Sequence, residues 1–305
     1  MEGAVMDLRR VQLLFMAVGS TVSVSYNILF SDTSLSSMLV VLGIGICIIG
    51  LPHGAIDGYL AQRAGFSKDI KSFFLFNILY ISISGLVVGA WFFVPDITFV
   101  FFLIITAWHF GADGAAQTPF ERCLFGLLVL TLPSLFHPEL TTTLFELLEV
   151  GNASIFAEWM QLLAPAAFIA FMASLFWRRG NGKRSIFCPL VALSLVAFSY
   201  ALPPLLFFFI YFCFLHSPNH FKRVLLEVPN RDFRGFFYTT ALYTVLAIFF
   251  ACVGYFMLIP FVVFNQAVVL VIFVGLAALT VPHMILVDGF WRTHVDRANL
   301  LTKRK

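Results

Sequence analysis

Apolar stretches follow one another along almost the whole chain, each closed by a short polar or charged segment. Most approach the roughly 20 residues that a helix needs to cross a hydrocarbon core. The pattern predicts ten spans, at 11–30, 37–60, 72–94, 97–116, 124–136, 156–177, 186–201, 203–221, 236–259 and 264–287. The fifth is short, and only Pro203-Pro204 separates the seventh from the eighth. Between the fifth and sixth, residues 137–155 carry Pro138 and the run Leu144-Phe145-Glu146-Leu147-Leu148-Glu149, which predicts an outer loop with a short amphipathic helix. No soluble domain, internal repeat or low-complexity linker interrupts the series. The chain therefore reads as one transmembrane helical domain, 1–305, with a short basic tail over about 292–305.

Composition agrees with an all-α, polytopic membrane bundle. The 305 residues are 60% hydrophobic and 11% charged, and mean hydropathy is +0.94. The position of the charges adds topology. All 19 Lys and Arg residues precede the first span or follow an even-numbered one; loops after odd spans carry none. The positive-inside rule then puts both termini in the cytoplasm of a multi-pass protein of the cell (inner) membrane. Trp177 and Trp291 stand beside arginines, as inner-interface anchors do. Arg9-Arg10 before an apolar run also fits a signal peptide, but the run is as long as a span and leads into further spans, so it reads as a retained helix. The basic residues form short loop clusters and not a face, which argues against a nucleic-acid partner. Five scattered cysteines, none in CxxC spacing, read as reduced, apolar fillers.

Histidine carries the chemistry. His53, His109, His216 and His283 each lie near the cytoplasmic end of a different even-numbered span, and His220 follows His216 by four residues. Imidazole is costly to bury in a membrane, so five at one depth, on helices running the same way, point to a metal centre within a bundle. The carboxylates repeat the pattern. Asp57 and Asp113 follow His53 and His109 at i+4, on the same helix face, while Asp288 follows His283 at i+5, off that face in a regular helix. Pro218, between His216 and His220, loosens the local turn. Neutral imidazoles without thiolates suit iron, zinc or copper. The acids either ligate directly or orient imidazole N–H groups. A four-histidine site and a two-histidine, one-carboxylate triad both remain open.

The bland alternative for any one membrane histidine is a hydrogen bond across helices. His137, on the opposite side and followed by Pro138, reads as a loop residue, and His294 as part of the solvated tail. Gly50, Gly54 and Gly58 form a ladder suited to close helix packing beside His53. Phe212 and Phe214, ahead of His216, are candidates for the wall of an apolar tunnel, with ordinary packing as the alternative.

The segments Leu51-Pro52-His53-Gly54-Ala55-Ile56-Asp57, Trp108-His109-Phe110-Gly111, His216-Ser217-Pro218-Asn219-His220 and Pro282-His283-Met284 resemble the Brp/Blh family of membrane β-carotene 15,15′-dioxygenases. The resemblance covers nearly the whole chain in order and spacing. It implies an Fe(2+) enzyme that splits β-carotene with O2 into two all-trans-retinal molecules, with a microbial rhodopsin as the retinal acceptor. It implies His53, His109, His216 and His220 as iron ligands. His283 is then a fifth candidate, for proton transfer or for orienting a ligand, alongside Asp57, Asp113 and Asp288. Trp108 becomes a candidate for packing on the polyene. Gly58 departs from the pattern, where a polar residue or histidine is expected after Asp57.

Two rivals stand beside this reading. One is a different membrane non-haem metal oxygenase acting on another carotenoid or lipid. The other is a transporter of protons or metal ions that relays through intramembrane His and Asp; no interrupted spans in matching halves support it. A rhodopsin is excluded, because all six lysines lie in loops or the tail and none is within a span to form a Schiff base.

Overall fold

The structure is a computed structural model and describes residues 2–30, 33–66, 69–114, 118–177, 187–227 and 233–291. Among these the regular structure is entirely helical. In chain order the helices are α1 (Glu2–Leu29), α2 (Leu35–Gly45), α3 (Leu51–Ala55), α4 (Asp57–Ala64), α5 (Ile70–Phe93), α6 (Pro95–Phe110), α7 (Pro119–Phe136), α8 (Pro138–Leu147), α9 (Ala153–Trp177), α10 (Phe187–Ala201), α11 (Pro204–Tyr211), α12 (Ser217–Glu227), α13 (Phe233–Leu258) and α14 (Phe264–Met284).

Eight described helical stretches are long and apolar enough to cross a membrane, two fewer than the ten expected. The difference falls on the seventh and eighth expected spans. The seventh is the shorter apolar helix α10. The eighth runs without a gap as α11, a π-helical turn over Phe212–His216, and α12, but its polar run His216-Ser217-Pro218-Asn219-His220 makes it less apolar than the eight. The fifth, short in the sequence reading, gains a turn at its start and runs as the whole of α7. The expected amphipathic helix of the outer loop is α8. His294 and most of the basic clusters (178–184, 231 and 292–305) lie outside the described residues.

Local chemistry explains several boundaries. Thr118 caps α7 by a capping box: its hydroxyl accepts the Glu121 N–H at 3.1 Å, and the Glu121 carboxylate accepts the Thr118 N–H at 3.3 Å. Asp69 and Ser72 do the same for α5, and the Ser72 N–H holds the Asp69 carboxyl below its ordinary value. π-Helical stretches at Ile46–Gly50, Phe212–His216 and Ile285–Trp291 adjoin the histidine motifs. Pro52 and Pro218 have no N–H to offer the carbonyls of Ile48 and Phe214, four residues earlier, and both of those carbonyls lie in π-helical turns. The Ser217 N–H reaches back five residues to the Phe212 carbonyl. The third stretch begins three residues after Pro282.

The helices gather into two compact units, one of residues 1–45 and 99–220, the other of 46–98 and 221–305. In the first, α7 packs on α9 and α10, α8 on α9, and α1 on α10. Its interior holds Phe99 against Phe145 and Phe156, and Phe125 against Phe171. Glycine permits the close approach of α6 and α7: a Cβ on Gly126 would overlap the Ala107 carbonyl, and one on Gly111 the Arg122 carbonyl. In the second unit, α14 packs on α5, and α13 on α3, α4 and α14. Ile56, Leu60, Val224 and Leu286 form a buried cluster there. Large apolar side chains such as Phe74, Ile81, Val245 and Phe256 are exposed on α5 and α13, as lipid-facing helices require.

Candidate metal centre

The first unit holds three of the five histidines. His109 ends α6, His216 ends the second π-helical turn, and His220 lies one turn into α12. The His109 ring centroid is 4.8 Å from that of His216 and 6.4 Å from that of His220. His216 and His220 are buried and His109 half-buried.

Asp113 fixes the ring of His216. Its Oδ2 accepts the His216 Nδ1–H at 2.7 Å and the Tyr211 O–H at 2.9 Å. Asp113 and Tyr211 are 2% and 0% exposed, so these bonds form away from water. A carboxylate oxygen accepts, so His216 donates through Nδ1 and keeps Nε2 as the ring atom able to ligate a metal. Phe212 stacks near His216, with ring centroids 5.3 Å apart and nearly parallel planes.

The second unit holds His53 and His283, whose ring centroids lie 5.7 Å apart. The His283 Nδ1–H donates to Asp57 Oδ1 at 2.8 Å, and Asp57 Oδ2 accepts the Tyr80 O–H at 2.9 Å. The His53 Nδ1–H donates to the Gly50 carbonyl at 2.6 Å. His53, Asp57 and His283 are all buried. Asp288 is half-buried within the π-helical stretch Ile285–Trp291, so the regular-helix offset expected between it and His283 does not apply.

The pairing of acids with histidines differs from the expectation. The i+4 spacing puts Asp57 with His53 and Asp113 with His109. Instead each acid orients a histidine from another helix, His283 and His216. The helices are not regular where the spacing argument needs them to be. Ile56 breaks α3 from α4, and Gly111–Gly114, which contains Asp113, is a 3₁₀ turn.

Other candidates fall as follows. Trp108 carries the Arg122 guanidinium over its ring at 4.2 Å, and Arg122 Nε donates to the Trp108 carbonyl at 2.7 Å. Phe212 is buried between Phe208 and His216; Phe214 is half-buried against Phe209. Gly58 lies under the Tyr243 ring, which fills the volume that a side chain at 58 would need, and the Tyr243 O–H donates to Asn77. Gly54 meets nothing within 4 Å, so only part of the glycine ladder serves close packing. His137 separates α7 from α8, as a loop residue, and its Nε2 bonds the Ser199 carbonyl.

Tyr80, Tyr211 and Tyr243 lie outside the histidine motifs. The signal was available: a tyrosine inside an apolar span needs a partner for its hydroxyl. The donor set suits a borderline divalent metal. Imidazoles whose Nδ1–H is held by a carboxylate or carbonyl offer neutral Nε2 lone pairs, the usual arrangement of metal-ligating histidine.

A family model described as beta-carotene 15,15′-dioxygenase matches residues 44–291, which include all five of these histidines. The chain is 29% identical over 265 residues to a protein of the uncultured marine bacterium 66A03 named "Beta-carotene 15,15′-dioxygenase", over 84% of this chain and 94% of that one. It is 26% identical over 212 residues to a Halobacterium salinarum protein named "Probable beta-carotene 15,15′-dioxygenase Blh", over 58% of this chain and 59% of that one. No solved structure gives a significant match.

Proposed function

Because the chain belongs to the beta-carotene 15,15′-dioxygenase family, we propose that it cleaves β-carotene with O2 at the central double bond. The C15=C15′ bond breaks, each carbon takes one oxygen atom, and two retinal molecules result. The retinal supplies a microbial rhodopsin, and the enzyme works in the cell membrane, where its polyene substrate dissolves. The observation that carries the reading is the family match across every intramembrane histidine, joined to the buried His–Asp–Tyr arrangements.

Iron(II) is the cofactor of this proposal, with His53, His109, His216 and His220 as its ligands. When bound, iron(II) supplies the activation of O2 that imidazole and carboxylate lack. The protein's own residues supply the rest. Asp113, braced by Tyr211, holds His216 in one tautomer and one orientation. Apolar helices keep water from the reacting bond and admit the substrate from the bilayer. Binding the polyene in one register sets which bond is cut.

Purified protein stripped with a chelator should lose retinal formation and regain it with iron(II). His216→Ala should insert into membranes yet bind no iron and form no retinal. Full activity in that variant would overturn the ligand assignment.

A further inference from the structure

We propose that His283 is itself a metal ligand, oriented by Asp57 and Tyr80, beyond the four histidines that the family resemblance implies. The proposal rests on the metal part of the functional reading and not on the identity of the substrate.

Three helices converge on one carboxylate. Asp57 opens α4, Tyr80 lies in α5 and His283 near the end of α14. Both Asp57 oxygens are engaged, one by the His283 Nδ1–H at 2.8 Å and the other by the Tyr80 O–H at 2.9 Å. Asp57 is therefore an orienting group. Its Oδ1 fixes the ring through Nδ1–H, which leaves Nε2 as the atom able to ligate a metal.

His53 is in the same tautomer, because its Nδ1–H is directed to the Gly50 carbonyl at 2.6 Å. The two rings are neighbours, with centroids 5.7 Å apart. Two imidazoles that have both committed Nδ1–H elsewhere keep Nε2 as the ring atom able to ligate a metal. A divalent cation is a partner that two such buried rings can share.

The alternative is a histidine–aspartate pair that only fastens α14 to α4. The first unit argues against that limit. There a tyrosine and an aspartate hold His216 by the same atoms, Nδ1 to Oδ, with the Tyr211 O–H on the carboxylate. His216 is among the ligands that the resemblance implies. The same device on His283 assigns it the same task.

The test uses full-length protein in detergent, loaded with cobalt(II), whose visible absorption reports the number and type of its ligands. Metal affinity is read by competition with a chelator, and β-carotene turnover is measured separately. His283→Gln keeps most of the side-chain volume, Asp57→Asn keeps an acceptor but not the charge, and Tyr80→Phe removes one hydroxyl distant from the ring. His283→Gln should change the cobalt spectrum. Asp57→Asn should lower metal affinity by about tenfold to a hundredfold, and Tyr80→Phe by less, in the same direction. Folded His283→Gln protein with the wild-type cobalt spectrum and affinity would overturn the proposal. So would thermal destabilisation of all three variants with an unmoved spectrum, since that is the mark of a fastening role alone. Wild-type protein that takes up neither cobalt nor iron would overturn it as well. A changed spectrum in His283→Gln, with wild-type protein leaving β-carotene intact, would uphold the ligand and reject the substrate.

Discussion

Asp113 is the residue on which the orientation of His216 turns. It is buried and accepts from both His216 and Tyr211, so removing its charge leaves the ring turned but less basic. Asp113→Asn should lower iron affinity by about tenfold to a hundredfold, seen by chelator competition, with retinal formation falling in step. The histidines themselves were legible in the sequence, because polar rings at one depth of several apolar spans need a common explanation. The partner of each acid was not. Spacing along one helix assigned Asp113 to His109 and Asp57 to His53; the 3₁₀ turn at Gly111–Gly114 and the break at Ile56 hand them to His216 and His283. Tyr80 and Tyr211 stayed hidden because no spacing rule links them to those acids. Gly58, a departure from the expected motif, is explained by the Tyr243 ring that lies against it.

At the scale of the helix, packing between membrane segments relies on close contact and not on a hydrophobic drive, since lipid is as apolar as the side chains. Gly126 brings α7 against the Ala107 carbonyl of α6, two residues before His109. Gly126→Ala should cost about 1–3 kcal/mol by overpacking, read as a lower thermal midpoint in detergent and a weaker hold on His109. The cap at the start of α7 makes a separate prediction. Thr118→Ala removes the acceptor for the Glu121 N–H and should cost about 1 kcal/mol, again by thermal unfolding, with ligand geometry intact. The helix pattern was legible where apolar runs were long and regular. It was least clear at the eighth expected span, where helix runs unbroken over 204–227 but the polar run His216-Ser217-Pro218-Asn219-His220 lowers the hydropathy.

Across the whole chain, the exposed apolar surface and the family match over residues 44–291 agree on a membrane enzyme of carotenoid cleavage. The most direct test is expression in bacterial cells that accumulate β-carotene, beside a His53→Ala control with equal membrane expression, followed by chromatography of the extracted pigments. The expected result is loss of orange colour with retinal appearing in cells carrying the wild-type chain and in none carrying the control. Unchanged β-carotene beside verified wild-type protein in the membrane would contradict central cleavage of this substrate, and retinal formed equally by His53→Ala would contradict the metal site.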